Sequence, residues 1–242
     1  MRVLAYIPLH YGAEYLEAAI KSIDPFVEKI MVLYVKEPSQ GHSKGIPCPE
    51  EEGMLRRLSI SSSNKVEWHQ CRFSTEGEHR GYVYQFAQGY DLVLAFDGDE
   101  IFEPQDLPIA LDMAMKSDKR YIGIGGYVNF WRSFNHACYD SFTPIRITNL
   151  HNGSGEAVVP CRVYHFSTAQ DQKIVRYKMS VSGHASEIRP NWLEEVYFGW
   201  YPGCGIEDLH PVAHGLWKAT PFDKEKLPDI LKAHPNFNKQ MI

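Results

Sequence analysis

Residues 92–100, Leu92-Val93-Leu94-Ala95-Phe96-Asp97-Gly98-Asp99-Glu100, run five apolar side chains straight into an acidic cluster. A continuous apolar run of this length is what a strand buried on both faces looks like, and such strands belong to parallel sheets covered by helices. Open α/β sheets bind ligands beyond the carboxyl ends of their strands, so Asp97, Asp99 and Glu100 stand where a ligand is expected. On extended backbone Asp97 and Asp99 share one side, and the small Gly98 lets the chain approach a large ligand or turn sharply. Two hard oxygen donors on one face suit Mg²⁺ or Mn²⁺, which keep open positions for substrate phosphates. The bland alternative is an acidic strand-to-loop turn, and the buried strand before it weighs against that.

Working outward, Val3 to Ile7 reads as another buried strand, and Ala13 to Ile23 as a helix with Leu16, Ala19, Ile20 and Ile23 on one face. Asp24-Pro25 breaks that helix, and Lys29 to Val35 is a second apolar strand, which completes a parallel βαβ unit. Lys36 to Ser63, with three prolines and three glycines, is a long surface connection holding a helical candidate at Glu51 to Leu58. Val66 to Cys71 suits a third strand, Glu78 to Gly89 a helix with Tyr82 and Phe86 four apart, and Gln105 to Ser117 a helix carrying Leu107, Ala110, Leu111 and Ala114. Beyond Tyr121 the pattern changes to aromatic-rich short strands at Tyr127 to Phe134, Ile145 to Asn149 and Cys161 to Phe166. The expectation is one α/β domain over residues 1–242, with a mostly parallel sheet flanked by helices in 1–120 and a mixed, loop-rich half in 121–242. The tail, Trp217 to Pro235, is expected to wrap back over it, anchored by Leu216-Trp217.

Composition narrows the classes further. With 242 residues, 44% hydrophobic and 23% charged, the chain is neither disordered, collagenous nor a coiled coil. A net charge of -5 argues against a partner held mainly through phosphate neutralisation. Five scattered cysteines without a C-x-x-C pair point to neither a zinc site nor a redox motif and fit a reducing, cytoplasmic setting. Met1 to Pro8 is too short for a secretory signal, and no segment approaches the roughly 18 apolar residues of a membrane span.

The order of elements resembles the GT-A fold of nucleotide-sugar-dependent glycosyltransferases, in particular the glycosyltransferase family 2-like group. Three stretches carry the likeness. Val3-Leu4-Ala5-Tyr6-Ile7-Pro8 with its helix is similar to the first nucleotide-binding turn, and Glu78-His79-Arg80 followed by Tyr90 to Glu100 is similar to the helix and D-x-D strand. Val163-Tyr164-His165-Phe166, followed by Lys178 and His184, resembles a metal-proximal histidine region. The resemblance implies a nucleoside diphosphate sugar as donor and Mn²⁺ or Mg²⁺ as cofactor. It implies nucleotide contacts at Ile7, Pro8, Arg80, Asp97 and Lys178, and metal contacts at Asp97, Asp99 and His165. Family members carry an acid at the end of the second strand for the nucleobase or ribose; here the strand ends Tyr34-Val35-Lys36-Glu37, and Glu37 is the residue that would serve.

The chemistry of such a transfer agrees with these residue types. A departing diphosphate needs positive charge, from a divalent ion and a cation such as Arg80. Inversion needs a base for the acceptor hydroxyl, and the acids downstream are Glu187, Glu194, Glu195, Glu207 and Asp208. Glu207-Asp208 resembles the family's acidic pair near the acceptor, which favours Asp208, with Glu195 and Glu187 behind it. His165 on a strand adds a nitrogen donor that favours Mn²⁺, and His184, flanked by glycine, is the next candidate. Trp131, Trp192, Tyr197 and Trp200 are either core or flat faces for a sugar or base. A nucleotidyltransferase acting on sugar phosphates is the alternative enzyme class, weakened by a first turn, Pro8-Leu9-His10-Tyr11-Gly12, with a single glycine. A non-catalytic carbohydrate-binding protein explains the aromatics but not the strand delivering Asp97 and Asp99. The acceptor, whether glycan, small molecule, protein or modified DNA, is not legible.

Overall fold

A computed structural model describes residues 1–38 and 46–241; the part of the Lys36–Ser63 connection at 39–45 lies outside the described residues. In chain order the regular elements are β1 (Val3–Leu9), α1 (Ala13–Ile23), β2 (Lys29–Val35), α2 (Glu52–Ser62), β3 (Val66–Cys71), α3 (Glu76–Gly81), β4 (Leu92–Ala95), β5 (Glu100–Phe102), α4 (Leu107–Lys116), β6 (Tyr121–Trp131), β7 (His136–Cys138), β8 (Ile145–Asn149), β9 (Glu156–Thr168), α5 (Gln172–Val181), β10 (Thr220–Pro221) and α6 (Asp229–Lys232). None of the helices is long and apolar enough to cross a membrane, among the described residues.

One end of the sheet is the parallel set β4-β1-β2-β3, with β3 at its edge and the apolar runs of the sequence in β4, β1 and β2. Alternation decides which face each side chain covers. Val3, Ala5, Ile7 and Leu9 pack with Leu16, Ile20 and Ile23 of α1 on one face, while Leu4 and Tyr6 pack with Met31, Leu33 and Val83 on the other. The second half joins this sheet through β8, antiparallel to β4, and β6 runs between β8 and a long parallel partner, β9. The result is an α/β fold with a mostly parallel central sheet flanked by helices and a mixed sheet beyond it.

Several local expectations shift. Glu78–Gly89 divides into α3 and a 3-10 segment, Tyr82–Phe86, whose two terminal rings meet edge to face at 5.4 Å. α5 and a π-helical turn, Trp192–Phe198, have no counterpart in the sequence reading. Asp97 to Glu100 is a turn rather than extended chain, closed by the Glu100 amide donating to the Asp97 carbonyl at 3.1 Å, because Glu100 leaves to start β5 against β9. The tail does wrap back: Leu227, Leu231 and Phe237 join Tyr15, Phe130 and Phe166 in a second core. Of its expected anchor, Trp217 is buried, whereas Leu216 is 49% exposed.

Candidate active site

Six segments meet at the carboxyl ends of β1, β2 and β4. They enclose a cavity of about 250 Å³ lined by Pro8, Val35, Glu76, Arg80, Asp97, Asp99, His165 and Lys178, among others. Each segment is held there for a local reason. Thr75 and Glu78 form a reciprocal capping box that starts α3, and Glu76 pairs with Arg80 one turn on at 2.7 Å. Asp171 caps α5, accepting from the Lys173 amide at 2.7 Å, and α5 carries Lys178 in its last turn, where a cation complements the helix dipole. His165 arrives by register: on β9 it stands opposite Glu100 of β5 and Asn129 of β6.

The charges interlock. Asp97 accepts from Arg146 at 2.8 Å and from Arg80 at 3.4 Å; Asp99 accepts from Lys178 at 3.0 Å. Arg146 also binds Glu100, a residue only 1% exposed, which takes further hydrogen bonds from the Tyr127 hydroxyl at 3.1 Å and the Asp97 amide at 3.2 Å. Burial pushes the Asp97 carboxyl upward, but Arg146 and Arg80 outweigh it and hold the group well below the usual carboxylate range. Asp99 behaves likewise: burial is opposed and overcome by Lys178 and His165. Lys178, disfavoured as a cation by burial, is kept charged by Asp99. Four acids, Glu76, Asp97, Asp99 and Glu100, therefore face three cations, Arg80, Arg146 and Lys178.

A second cavity, about 800 Å³, adjoins the first and shares Asp97, His165, Lys178 and Ser182 with it. Its walls include Tyr127, Asp140, Phe142, Arg146, His184, Glu187, Leu216 and Trp217. Glu187 and His184 form a pair at 3.0 Å on this wall, directly after Ser182 and Gly183, which line the first cavity.

Of the residues anticipated from sequence, Pro8, Arg80, Asp97, Asp99, His165 and Lys178 gather at the first cavity, and Glu187 and His184 at the second. Ile7 is fully buried in the core beneath Pro8. Glu37 is exposed and lines neither cavity; Glu76 of α3 supplies the acid on that side of the first. Asp208 lines neither cavity and acts as a clip, accepting from Arg189 and the Gly215 amide and pairing with His214, each at 2.9 Å. Glu195 is exposed and accepts from Asn191 at 3.0 Å, while Glu194 pairs with Arg176 and Glu207 with Lys218. Trp131, Trp192, Tyr197 and Trp200 are core, packed on one another. Arg146 is the central residue that sequence reading missed.

The donors available to a metal can be judged from their partners. Asn129 gives its amide nitrogen to Asp140 at 3.3 Å, so its oxygen faces His165 Nδ1 at 2.8 Å. In the neutral ring that bond leaves the Nε2 lone pair 3.7 Å from Asp99 Oδ1, the arrangement by which an outer partner orients a ligating imidazole. Among the described residues no group of three or more His, Cys, Asp or Glu side chains is arranged to hold a metal ion. What the residues fit is an ion bound through one or two carboxylates that completes its shell with phosphate oxygens.

No family model and no curated protein sequence matches the chain. Among solved structures, glucosyl-3-phosphoglycerate synthase of M. tuberculosis is similar at 16% identity and a TM-score of 0.37, over 55% of this chain and 46% of that one. TarS of S. aureus is similar at 12% identity and a TM-score of 0.46, over 74% of this chain and 40% of that one. 4-Diphosphocytidyl-2C-methyl-D-erythritolsynthase of Anaerococcus prevotii is similar at 9% identity and a TM-score of 0.42, over 72% and 93%. The chain spans less than half the length of the first two. All three are partial likenesses, with TM-scores below 0.5.

Proposed function

We propose that the chain transfers a sugar from a nucleoside diphosphate sugar to an acceptor hydroxyl, with inversion at the anomeric carbon. The observation that carries this reading is the pair of adjoining cavities with Asp97, His165 and Lys178 in their common wall. A transfer between two substrates needs two sites that meet at the reacting bond. The nucleotide would lie along Pro8 and Val35, with Asp97 or Glu76 on its ribose and Arg80 and Lys178 on its diphosphate. The first cavity sets three acids, Glu76, Asp97 and Asp99, against two cations, Arg80 and Lys178, which leaves it without net attraction for a free diphosphate and supports a nucleotide that enters with a divalent cation. One or both of Asp97 and Asp99 would hold such an ion, with His165 Nε2 3.7 Å from Asp99 Oδ1, and it would neutralise charge building on the departing diphosphate.

The base we assign to the acceptor side is the His184–Glu187 pair. Glu187 orients the imidazole and stabilises it once protonated, and the pair belongs to the second cavity, beside residues of the first. Asp208 lacks that access and spends both carboxylate oxygens on Arg189, His214 and Gly215.

The nucleotidyltransferase alternative is disfavoured by Glu50. A phosphate cradle at the first turn would use the free amides at the start of α1, yet Glu50 accepts from Gly12 at 2.6 Å and from Ala13 at 3.1 Å. A carbohydrate-binding role loses its aromatic platform, because those tryptophans are core.

Calorimetric titration of UDP, GDP, CDP, dTDP and ADP, each with Mn²⁺ and again with excess EDTA, tests the donor side. One nucleotide should bind, and chelation should weaken it at least tenfold; binding by none of them with metal present overturns the reading. With the donor known, His184→Gln should lower turnover about 10²-fold or more at unchanged nucleotide affinity, whereas Asp208→Asn should act on melting temperature. A product of retained configuration would remove the base altogether.

A further inference from the structure

The second cavity is about 800 Å³, the size that encloses a drug-sized ligand rather than one bare sugar ring. Its lining includes a set of apolar side chains, Met179, Ile188, Val212, Leu216, Phe142 and Trp217. Aromatic faces alone would suit a sugar as well as an apolar group, but aliphatic walls do not: a sugar carries a hydroxyl on nearly every carbon, and each one buried without a partner is costly. The charged groups in the wall are already engaged. Asp140 accepts from the Trp217 indole at 2.7 Å, the Phe142 amide at 2.9 Å and Asn129 at 3.3 Å, which also fixes both rims of the apolar wall. Arg146 and Lys178 are held by Asp97, Glu100 and Asp99, and His184 by Glu187. Beside them the wall carries the hydroxyls of Ser141, Thr143, Ser167 and Ser182 and the His210 ring, a few polar groups that suit a headgroup rather than a polyhydroxylated or phosphate-rich acceptor. Phe142 is 69% exposed and Leu216 49% exposed, two large apolar side chains left open to solvent in a cavity wall.

We propose that the acceptor is an amphiphilic small molecule, a hydroxyl or single sugar headgroup on an apolar body, whose head reaches His184 while its body lies against Ile188, Leu216, Phe142 and Trp217. The occupant is a dissolved molecule rather than a membrane face, since two exposed side chains in a concave wall do not make a membrane-binding surface. This inference rests on the glycosyltransferase reading for the word acceptor, but its binding test does not.

Methyl, butyl and octyl β-D-glucosides, all below micellar concentration, are titrated calorimetrically against the full chain, and the same protein is titrated with nucleoside diphosphates and Mn²⁺. Affinity should rise about fourfold per buried methylene along the series. Leu216→Asp and Phe142→Asp, both at exposed positions that the fold tolerates, should flatten that slope while circular dichroism and melting temperature stay unchanged. Equal affinities for methyl and octyl glucoside, or an unaltered slope in both variants, overturn the proposal. A steep slope in a protein that binds no nucleoside diphosphate supports the apolar site and overturns the glycosyltransferase reading instead, so the two failures are told apart.

Discussion

The two cavities share a wall and differ in what their outer sides are made of. The smaller is bounded by carboxylates and cations that satisfy one another, and the larger by many apolar side chains, with the half-buried Asp140 turned into a structural bracket. Electrostatics is directional and tuned by each neighbour, so the first cavity should respond sharply to single charge changes. Apolar contact is graded by area, so the second should respond in increments.

The largest expected effect is at Arg146, where the comparison can be broken outright. Arg146→Met leaves Glu100, 1% exposed, as an uncompensated buried carboxylate, which costs about 3–5 kcal/mol and lowers the melting temperature of a chain this size by about 10 °C. Glu100→Gln in the same background should restore much of the loss, because it removes the orphaned charge. If Arg146→Met melts like the wild type, the network is not what stabilises this edge, and the contrast between the cavities fails.

A smaller effect is expected from acid. Asp97 and Asp99 have folded pKa values below their unfolded ones, so their contribution is fully present above the unfolded value of about 3.9 and is lost as pH falls through the folded values. Melting temperature should therefore fall from pH 5 to pH 3, and less steeply in Asp97→Asn and Asp99→Asn. An identical slope in both variants would assign the acid sensitivity to other carboxylates.

The same contrast governs what the sequence could reveal. β1, β2 and β4 were legible because buried parallel strands write themselves as apolar runs, and Asp97 and Asp99 because such a run stops at the ligand edge of the sheet. Arg146 was not, because Ile145-Arg146-Ile147 alternates like a half-exposed strand, and only the pairing of β8 with β4 turns the middle residue towards Asp97. α5 did carry a signal, an Asp171 cap followed by Ile174, Val175, Tyr177 and Val181 on one face, which the aromatic strand pattern around it obscured. Local likeness alone points to Glu37 and Asp208. Their roles depend on what lies opposite in space: for Asp208, Arg189 and His214.

The smallest expected effect is at Glu50, beside the first cavity, and it sharpens the comparison because two opposing terms nearly cancel there. Gly12, at φ 114°, starts α1 in a left-handed conformation without a side-chain cap of its own, so the carboxylate of Glu50 takes the place of one. Burial pushes the Glu50 carboxyl upward more strongly than the Gly12 and Ala13 amides pull it down, and its folded pKa ends above the ordinary value. The sign is thus opposite to that of Asp97 and Asp99: the contribution is fully present below the unfolded pKa and is lost as pH rises through the folded one. At neutral pH, Glu50→Gln gives up one acceptor but also the cost of burying charge, and stability should change by less than about 0.5 kcal/mol. Glu50→Ala removes the cap and should cost about 1 kcal/mol, the usual loss for an N-terminal cap, read as a lower urea midpoint at unchanged slope. If Glu50→Ala is as stable as the wild type, water caps α1 equally well, and the first turn is open to phosphate after all.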